Sequence, residues 1–386
     1  MTAPSLDTFA AGRLAEIERA GRLRRPRPTC LLGGAAAQRN GRRLVSFSGN
    51  DYLGLRDAPA VRAAAIAAIA EYGAGAGASY LVTGNHPLFA QLERQLANFK
   101  GTADTCVFGS GYLANIGTIP VLAGSRDLLL VDERCHSSIM TGARLSAGTL
   151  QLFRHNDVAD VQGKLRAQRA AFRNALIVTE GVFSMDGDCA PLAALSTLAH
   201  EYDTWLMVDD AHGLGVLGNG RGSAYVDAAP VAVDIQLGTL SKALGSYGGF
   251  VCASQPVIDL LRNRARSFIY STALPPACVA AAAAALDIIA RDPALTQQPL
   301  AKARAFSRAL GLREAESPIV PLIVGSSERA LAAAAELEEH GFLIVPIRPP
   351  TVAEGRARLR VCFSALHGDA EVASLAEIVR EHILGR

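Results

Sequence analysis

Between about residues 50 and 277 the sequence alternates short apolar runs with stretches of helical periodicity. The runs that predict strands are Thr105–Phe108, Leu128–Val131, Leu150–Phe153, Leu176–Thr179, Trp205–Val208, Ile235–Gly238 and Gly249–Ala253. Strands that are apolar on both faces and separated by helices are typical of a mostly parallel sheet covered on both sides. Because Gly249 follows Gly238 too closely for a helical crossover, its strand is predicted to pair antiparallel. We therefore expect an α/β fold around a mostly parallel seven-stranded sheet.

The remainder of the chain divides into two smaller units. A helix from Leu6 runs into a basic, proline-punctuated arm near Arg27, and after Ala277 shorter helices and strands alternate. Among these we predict a helix over Leu300–Leu310 and a strand over Leu343–Ile347. We predict an N-terminal helix and arm over residues 1–48, a large domain over 49–288 and a smaller α+β domain over 289–386. The arginines of the arm could contact an anionic substrate.

Composition excludes several classes of protein. Lys and Arg total 38 against 36 for Asp and Glu, so no basic excess favours nucleic acid or a membrane surface. The seven cysteines are scattered without CxxC or zinc-type spacing, which favours buried thiols in a reducing cytoplasm. The N-terminus lacks an apolar signal core, and the uncharged run 105–125 has too few large apolar residues for a membrane span. We expect a cytoplasmic protein.

Polar residues follow the ends of successive predicted strands. His136, Ser184, the pair Asp209 and His212, and Lys242 each come after a different strand. Ligands bind at the carboxyl ends of strands in open α/β sheets, so these side chains are predicted to meet at one edge. The turn Gly109–Asn115 opens a helix there, and free N–H groups at a helix start suit a phosphate.

The chain contains only four lysines, and one of them differs in context from the others. Lys100, Lys164 and Lys302 lie at a helix end or among charged residues and are predicted to be solvent-exposed. Lys242 lies among small residues and glycines, where partial desolvation would lower its pKa and favour imine formation with an aldehyde. Pyridoxal 5'-phosphate (PLP) needs such a lysine, an acid at its ring nitrogen, a phosphate site and a ring-stacking group. Lys242, Asp209, the Gly109–Asn115 turn and either His136 or His212 match these needs.

Competing motifs lack their structural context. The run Gly73–Gly77 resembles a dinucleotide fingerprint but follows a predicted helix and not a strand. Thr239 and Lys242 have the spacing of an acylating Ser-x-x-Lys motif, without its partner motifs. Asp209 with His212 could bind a metal, but no HExxH helix supplies further ligands, so no metal site is predicted.

Longer segments resemble one enzyme family. Five blocks match it in order, namely Ser48–Leu55, Thr179–Asp188, Asp209–Gly213, Ile269–Thr272 and Ile347–Thr351. On these blocks the chain is similar to the α-oxoamine synthases, which are fold-type-I PLP-dependent enzymes. The resemblance implies the PLP-dependent transferase fold, a cytoplasmic homodimer and active sites built from both subunits.

The resemblance also implies a role for each matching residue. Lys242 would bind the cofactor aldehyde and act as the base, and His136 would stack on the ring and contact substrate. The other cofactor contacts would be Asp209 at the ring nitrogen, Ser184 and His212 at the phenolic oxygen, and Gly111, Tyr112, Thr239, Ser271 and Thr272 at the phosphate, the last two from the partner subunit. Substrate would be bound by Arg24, with Arg25 and Arg27 as neighbouring candidates, and by Asn50, Arg348 at the carboxylate and Thr351.

The implied reaction is the decarboxylative condensation of an amino acid with an acyl thioester. The block that contains Arg348 favours the branch that joins L-alanine to a pimeloyl thioester in biotin biosynthesis. The acyl carrier could be coenzyme A or an acyl carrier protein. Sister reactions, with glycine and acetyl-CoA or with serine and a long acyl-CoA, use the same catalytic residues. A non-catalytic scaffolding subunit is a more distant alternative, since such relatives typically lack the lysine.

Overall fold

The computed structural model of the protein describes residues 5–227 and 229–385, which form fourteen strands and thirteen α-helices. The strands are β1 Cys30–Leu31, β2 Ala36–Arg39, β3 Arg42–Ser46, β4 Asp104–Phe108, β5 Leu128–Asp132, β6 Thr149–Phe153, β7 Ala175–Glu180, β8 Trp205–Asp209, β9 Ile235–Thr239, β10 Gly249–Ala253, β11 Ile319–Gly325, β12 Phe342–Leu343, β13 Pro346–Ile347 and β14 Ala357–Cys362. The helices are α1 Leu6–Arg19, α2 Pro59–Tyr72, α3 Pro87–Lys100, α4 Gly111–Leu122, α5 Ser137–Leu145, α6 Val158–Gln168, α7 Leu192–Glu201, α8 Gln255–Arg264, α9 Arg266–Ile269, α10 Pro276–Arg291, α11 Pro293–Ala309, α12 Ser327–Glu339 and α13 Asp369–Ile378.

The central sheet has seven strands in the order β4-β10-β9-β8-β7-β5-β6. Strands β9, β8, β7, β5 and β6 are parallel, and β10 runs antiparallel to both of its neighbours. Both predictions about the sheet, its strand number and its antiparallel strand, are confirmed. Phe250 of β10 pairs with Gly238, where a β-carbon would come within 2.4 Å of the phenyl ring. This glycine therefore lets an aromatic residue sit inside the sheet.

Helices cover both faces of the sheet. One hydrophobic core includes Leu130, Ile177 and Met207, and a second lies where α10 packs against α2 and α3. The alanines that α10 buries, such as Ala282 and Ala285, let these helices approach one another closely. The alanine-rich run is thus a packing surface.

The C-terminal part contains a second, smaller sheet of three antiparallel strands in the order β11-β14-β13. Phe306, Leu337 and Phe363 belong to the core that this part builds with its helices. Helix α11 begins at Pro293, before the predicted start at Leu300, because Asp292 Oδ1 accepts from the Leu295 N–H (3.0 Å) and caps the helix. The predicted strand 343–347 is divided into β12 and β13, which belong to different sheets.

The N-terminal segment contributes strands that join the C-terminal part. Helix α1 ends at Arg19, and not near Arg27 as predicted. Gly21 follows the helix and turns the chain with a φ of 63°. Strands β1, β2 and β3 then form a sheet in which β3 pairs parallel with β12. The predicted domain boundaries after residues 48 and 288 remain predictions, and residues 1–4 and 386 at their outer ends lie outside the described residues. Within the described ranges, no helix is both long and apolar enough to cross a membrane.

Lys100 differs from its sequence prediction. It is 1% exposed and lies at the end of α3, where its Nζ donates to Asp210 Oδ2 (3.3 Å) and to the Arg221 carbonyl (2.5 Å). The prediction of a solvent-exposed side chain is wrong for this lysine, because a carboxylate from the turn after β8 supplies its partner. Lys164 and Lys302 are partly exposed.

Candidate active site

The carboxyl ends of β9, β8, β7 and β5 lie side by side at one edge of the central sheet. The residues that follow these strands include Lys242, Asp209, Ser184 and His136, as the sequence predicted. Charges on Asp209, Lys242 and His136 act on one another across this edge, which places them in one cluster.

Lys242 lies in the turn after β9, and its pKa is lowered to about 8. Burial is the main cause, because an ammonium ion loses hydration there, and the nearby Arg360 guanidinium adds to it. The carboxyl groups of Asp209 and Glu180 oppose the effect. The neutral, nucleophilic amine is therefore more populated near neutral pH than it is for an ordinary lysine.

Asp209 ends β8 and is held by two hydrogen bonds. Asn115 Nδ2 donates to its Oδ2 (2.7 Å), and the Ala211 N–H donates to its Oδ1 (3.0 Å). Asn115 is fully buried in α4, and its own Oδ1 has no hydrogen-bond partner. The carboxylate therefore has a fixed direction and retains acceptor capacity.

The same asparagine also connects to His136. Asn115 Nδ2 donates to Ser138 Oγ (3.0 Å), and that oxygen lies 2.8 Å from His136 Nδ1. The Ser138 N–H also donates to His136 Nδ1 (3.2 Å), so the histidine caps the start of α5. Its pKa is lowered by burial and by Lys242, although Asp209 opposes this. The ring is thus held in one position and is favoured as the neutral imidazole.

His212 is buried and is paired with a tyrosine. Its Nδ1 lies 2.6 Å from the hydroxyl of Tyr52, which is fully buried. Burial, Lys242 and Arg360 lower the pKa of His212 well below its ordinary value. The imidazole is therefore neutral, and the tyrosine fixes its orientation.

Glu180 ends β7 and was not predicted as a site residue. Its Oε2 accepts from the Ser184 N–H (3.2 Å), and its Oε1 accepts from the His136 N–H. Burial and the neighbouring Asp209 raise the pKa of Glu180 to about 8. Glu180 thus positions two predicted site residues, and its place at the end of a buried strand is the signal that could have identified it.

The start of α4 lies beside Thr239. Ser110 Oγ accepts from the Leu113 N–H (3.1 Å) and caps the helix, and a β-carbon on Gly111 would be 3.6 Å from Thr239 Cβ. The Thr239 hydroxyl donates to the Gly248 carbonyl (2.8 Å). The Tyr112 side chain is 43% exposed, and its hydroxyl donates to Thr141 Oγ1 (3.1 Å). The Thr239 hydroxyl and the backbone N–H groups at the start of α4 therefore lie together on one side of the site.

Arg360 of β14 is a second residue that sequence reasoning missed. Its Nη1 donates to Asn50 Oδ1 (3.1 Å), its Nε donates to the Ser184 carbonyl, and its Nη2 is buried without a hydrogen-bond partner. A buried guanidinium with an unused donor can bind a carboxylate. Its sequence context, an arginine alternating with apolar residues in a strand, gave no such signal.

The predicted substrate residues of the N-terminal arm and the Ile347–Thr351 segment meet near the surface. Arg24 Nη2 donates to Thr351 Oγ1 (3.1 Å), and Arg348 Nη1 donates to the Gly21 carbonyl (2.7 Å). Arg25 lies 3.8 Å from the Glu18 carboxylate. The arm and the segment are thus connected at two points.

Ser271 and Thr272 do not join this cluster within the chain. Thr272 is exposed and forms an isolated β-bridge with Ser79, and Ser271 lies beside it. Their predicted contact with the phosphate of a partner subunit stays a prediction.

Comparisons with known proteins agree with this geometry. The aminotransferase class I and II family profile matches residues 42–379. The 8-amino-7-oxononanoate synthase of Methylocella silvestris is 60% identical over 343 residues, which cover 89% of this chain and 98% of that protein. The chain belongs to the class I and II aminotransferase family, among the 8-amino-7-oxononanoate synthases.

Solved structures of this family superimpose on nearly the whole chain. The serine palmitoyltransferase of S. paucimobilis, solved with PLP–myriocin bound, has a TM-score of 0.89 and 27% identity and covers 98% of both chains. The 8-amino-7-oxononanoate synthase of Francisella tularensis has a TM-score of 0.75 and 27% identity, with 89% of this chain and 98% of that chain covered. Membership of the family therefore rests on sequence and fold together.

Proposed function

We propose that the protein condenses L-alanine with a pimeloyl thioester to give 8-amino-7-oxononanoate, carbon dioxide and the free thiol carrier, a reaction of biotin biosynthesis. The observation that carries this proposal is Lys242, a partly exposed residue whose amine has its pKa lowered to about 8 by desolvation near the Asp209 carboxylate. The 60% identical relative from Methylocella silvestris bears the name of this activity.

The residues at the sheet edge fit PLP as the cofactor. Lys242 would hold its aldehyde carbon, Asp209 its ring nitrogen, and the start of α4 with Thr239 its phosphate. The spare acceptor capacity of the Asp209 carboxylate matches a protonated ring nitrogen. When bound, PLP supplies an electron sink that stabilises negative charge at the α-carbon of an attached amino acid.

Lys242 has a second task once the amino acid is attached. Its lowered pKa would let Nζ accept the α-proton of alanine, as general base, near neutral pH. Because Ser138 holds His136 and desolvation lowers its pKa, the imidazole would cover the ring face with little added positive charge beside Lys242.

A buried arginine would bind the carboxylate of alanine. Arg348 remains the residue that the family resemblance implies, but its Nη1 contacts the Gly21 carbonyl and it lies near the surface. The unused, buried Nη2 of Arg360 favours Arg360 for this task. Fixing the carboxylate decides which bond at the α-carbon is aligned for cleavage.

The active protein is proposed to be a cytoplasmic homodimer. An apolar groove of about 860 Å³ lies beside α4 and α9, and its lining includes Leu145 and Tyr270, which are 61% and 72% exposed. Exposed apolar area of this kind favours coverage by a second copy, which would bring Thr272 near the site across the interface. The seven free thiols support a reducing compartment.

Arginine in place of Lys242 tests the proposal. A guanidinium stays protonated and cannot form an imine, so Lys242→Arg should lose the visible absorbance of lysine-bound PLP and at least about 100-fold in turnover. Lys164→Arg is the matched control, because Lys164 is partly exposed and pairs with Asp160. An unchanged spectrum in Lys242→Arg would contradict the assignment.

Substrate assays separate the family's reactions. The serine palmitoyltransferase relative keeps the sister reaction open, so rates should be compared for alanine, glycine and serine, each with its matching acyl-CoA. We expect alanine with the pimeloyl thioester to be fastest. The same assay with pimeloyl-CoA and with pimeloyl-carrier protein identifies the carrier, and turnover by the purified chain excludes a scaffolding role.

A further inference from the structure

Three side chains that commonly bind metals converge away from the active site. Glu336 and His340 lie one turn apart at the end of α12, and His382 belongs to the turn Val379–Ile383 near the C-terminus. Their ligand atoms all lie within 4.8 Å of one another. None of the three belongs to the cluster around Lys242.

Two of the distances among these atoms match those of a metal centre. His340 Nε2 lies 3.3 Å from Glu336 Oε1, and His382 Nδ1 lies 3.1 Å from the same oxygen. Zinc holds nitrogen and oxygen ligands at about 2.0–2.2 Å in a tetrahedron, which separates neighbouring ligand atoms by about 3.3 Å. The Glu336 carboxylate oxygen is therefore spaced from both imidazole nitrogens as ligands of one ion are, and the two imidazole nitrogens lie within 4.8 Å of each other.

The elements that carry the ligands are anchored in the protein core. Leu337 of α12 and Val379 of the C-terminal turn are fully buried in the same hydrophobic core. The three ligand side chains remain between 35% and 44% exposed, so an ion can enter and a water molecule can complete its coordination.

A further carboxylate lies behind one of the histidines. Glu381 Oε2 is 3.9 Å from His382 Nε2, the ring nitrogen that faces away from Glu336. Histidine ligands of metals commonly have a carboxylate near the second ring nitrogen, where it fixes the tautomer and raises the basicity of the ligand. At 3.9 Å Glu381 forms no hydrogen bond with His382 Nε2, and its charge lies on the side away from Nδ1, the atom that faces Glu336.

We propose that Glu336, His340 and His382 form a binding site for a divalent transition metal, with Zn²⁺ as the best match. Imidazole and carboxylate ligands in an open three-ligand set suit this ion. The sequence gave no sign of the site, because His382 is far from His340 along the chain and only the fold brings them together. A bound ion would join α12 to the C-terminal turn and stabilise the folded protein.

Calorimetric titration of the PLP-loaded protein with ZnCl₂ tests the proposal. We expect one Zn²⁺ per chain, bound at least about tenfold more weakly by His340→Asn, His382→Asn and Glu336→Gln. The ion should also raise the melting temperature of the wild-type protein, reversibly with a chelator, and raise it less in these variants.

Two control variants exclude other zinc ligands. His200 is an exposed histidine on α7, and Cys30 is an exposed thiol, so His200→Asn and Cys30→Ser should bind Zn²⁺ as the wild type does. The proposal is overturned if the wild type binds no Zn²⁺, or if binding survives all three ligand variants or is lost in a control. Circular dichroism and PLP absorbance verify that each variant is folded.

Discussion

His155 illustrates how one side chain can connect several loops around the site. Its Nδ1 lies 3.1 Å from Asp132 Oδ1 and its Nε2 lies 2.8 Å from Asp188 Oδ2, with the ring edge-on to Phe183. The two carboxylates raise the pKa of His155 to about 9, against the opposing effect of burial. The imidazolium therefore holds the end of β5 to the segment that follows β7.

This raised pKa predicts a pH-dependent contribution to stability. Because the folded pKa lies above the ordinary 6.5, the contribution is complete below pH 6.5 and is lost as the pH rises through 9. His155→Gln should therefore cost roughly 1–3 kcal/mol in urea unfolding at pH 6 and much less at pH 9.5. Equal losses at both pH values would show that the histidine is not charged in the folded protein.

Lys100 carries a second prediction. Lys100→Met would leave the Asp210 carboxylate buried without its cation, and the unfolding free energy should fall by about 3–5 kcal/mol. Urea unfolding measures the loss, and Lys164→Met, in a partly exposed ion pair, should cost less than about 1 kcal/mol. A Lys100→Met protein as stable as the Lys164→Met control would contradict the role of the pair.

These residues show what local sequence could not predict. Lys100 ends an amphipathic helix next to Gly101, a pattern that indicates exposure, and its partner Asp210 lies 110 positions away. Arg360 and Glu180 were missed for the same reason, since their roles depend on neighbours from other elements. Lys242 and Asp209 could be predicted because ligands bind at the carboxyl ends of strands in open α/β sheets. A polar residue just after a strand is therefore expected at the site.

At the scale of elements, the central sheet was predictable and the ends of several helices were not. Fully apolar runs such as Leu128–Val131 predict buried strands, and the short link before Gly249 predicted the antiparallel strand. Helix α11 began earlier than expected because Asp292 caps it, and α1 ended at Arg19. The ends of helices depend on single capping or turn residues and are therefore hard to predict. A buried strand is apolar at every position, so its pattern is easier to recognise.

The contact between β10 and α4 carries a prediction about cofactor binding. A β-carbon on Gly249 would lie 2.5 Å from the Gly111 nitrogen, so Gly249→Ala should displace the start of α4. Spectroscopic titration of the PLP-free protein should show at least about tenfold weaker PLP binding, because phosphate contacts at a helix start depend on the direction of its N–H groups. Gly163→Ala, on open space in α6, is the matched control and should bind PLP normally.

Across the whole molecule, the N-terminal segment contacts the rest of the protein unevenly. Helix α1 buries none of its residues, whereas Arg22 pairs with Glu354 and Arg24 donates to Thr351. The arm beyond α1, and not the helix, is therefore connected to the segment that follows β13.

Two truncations test this division. Removing residues 1–20 should leave kcat/KM and the melting temperature nearly unchanged, because no residue of α1 is buried against the rest of the chain. Removing residues 1–24 also removes Arg22 and Arg24, and should raise the KM for the acyl thioester while the melting temperature changes little. A large loss of stability in the shorter truncation would contradict this prediction.

The order of strands in the central sheet also bears on how the protein is made. Strand β4 leaves the ribosome first among the seven, yet its neighbour in the sheet is β10, the last of them to be synthesised. The start of α4, which directly follows β4, therefore gains its place beside Thr239 only after Ala253 has emerged. A nascent chain would thus complete the corner that we propose for phosphate binding late, after β9 and Lys242 have already been synthesised.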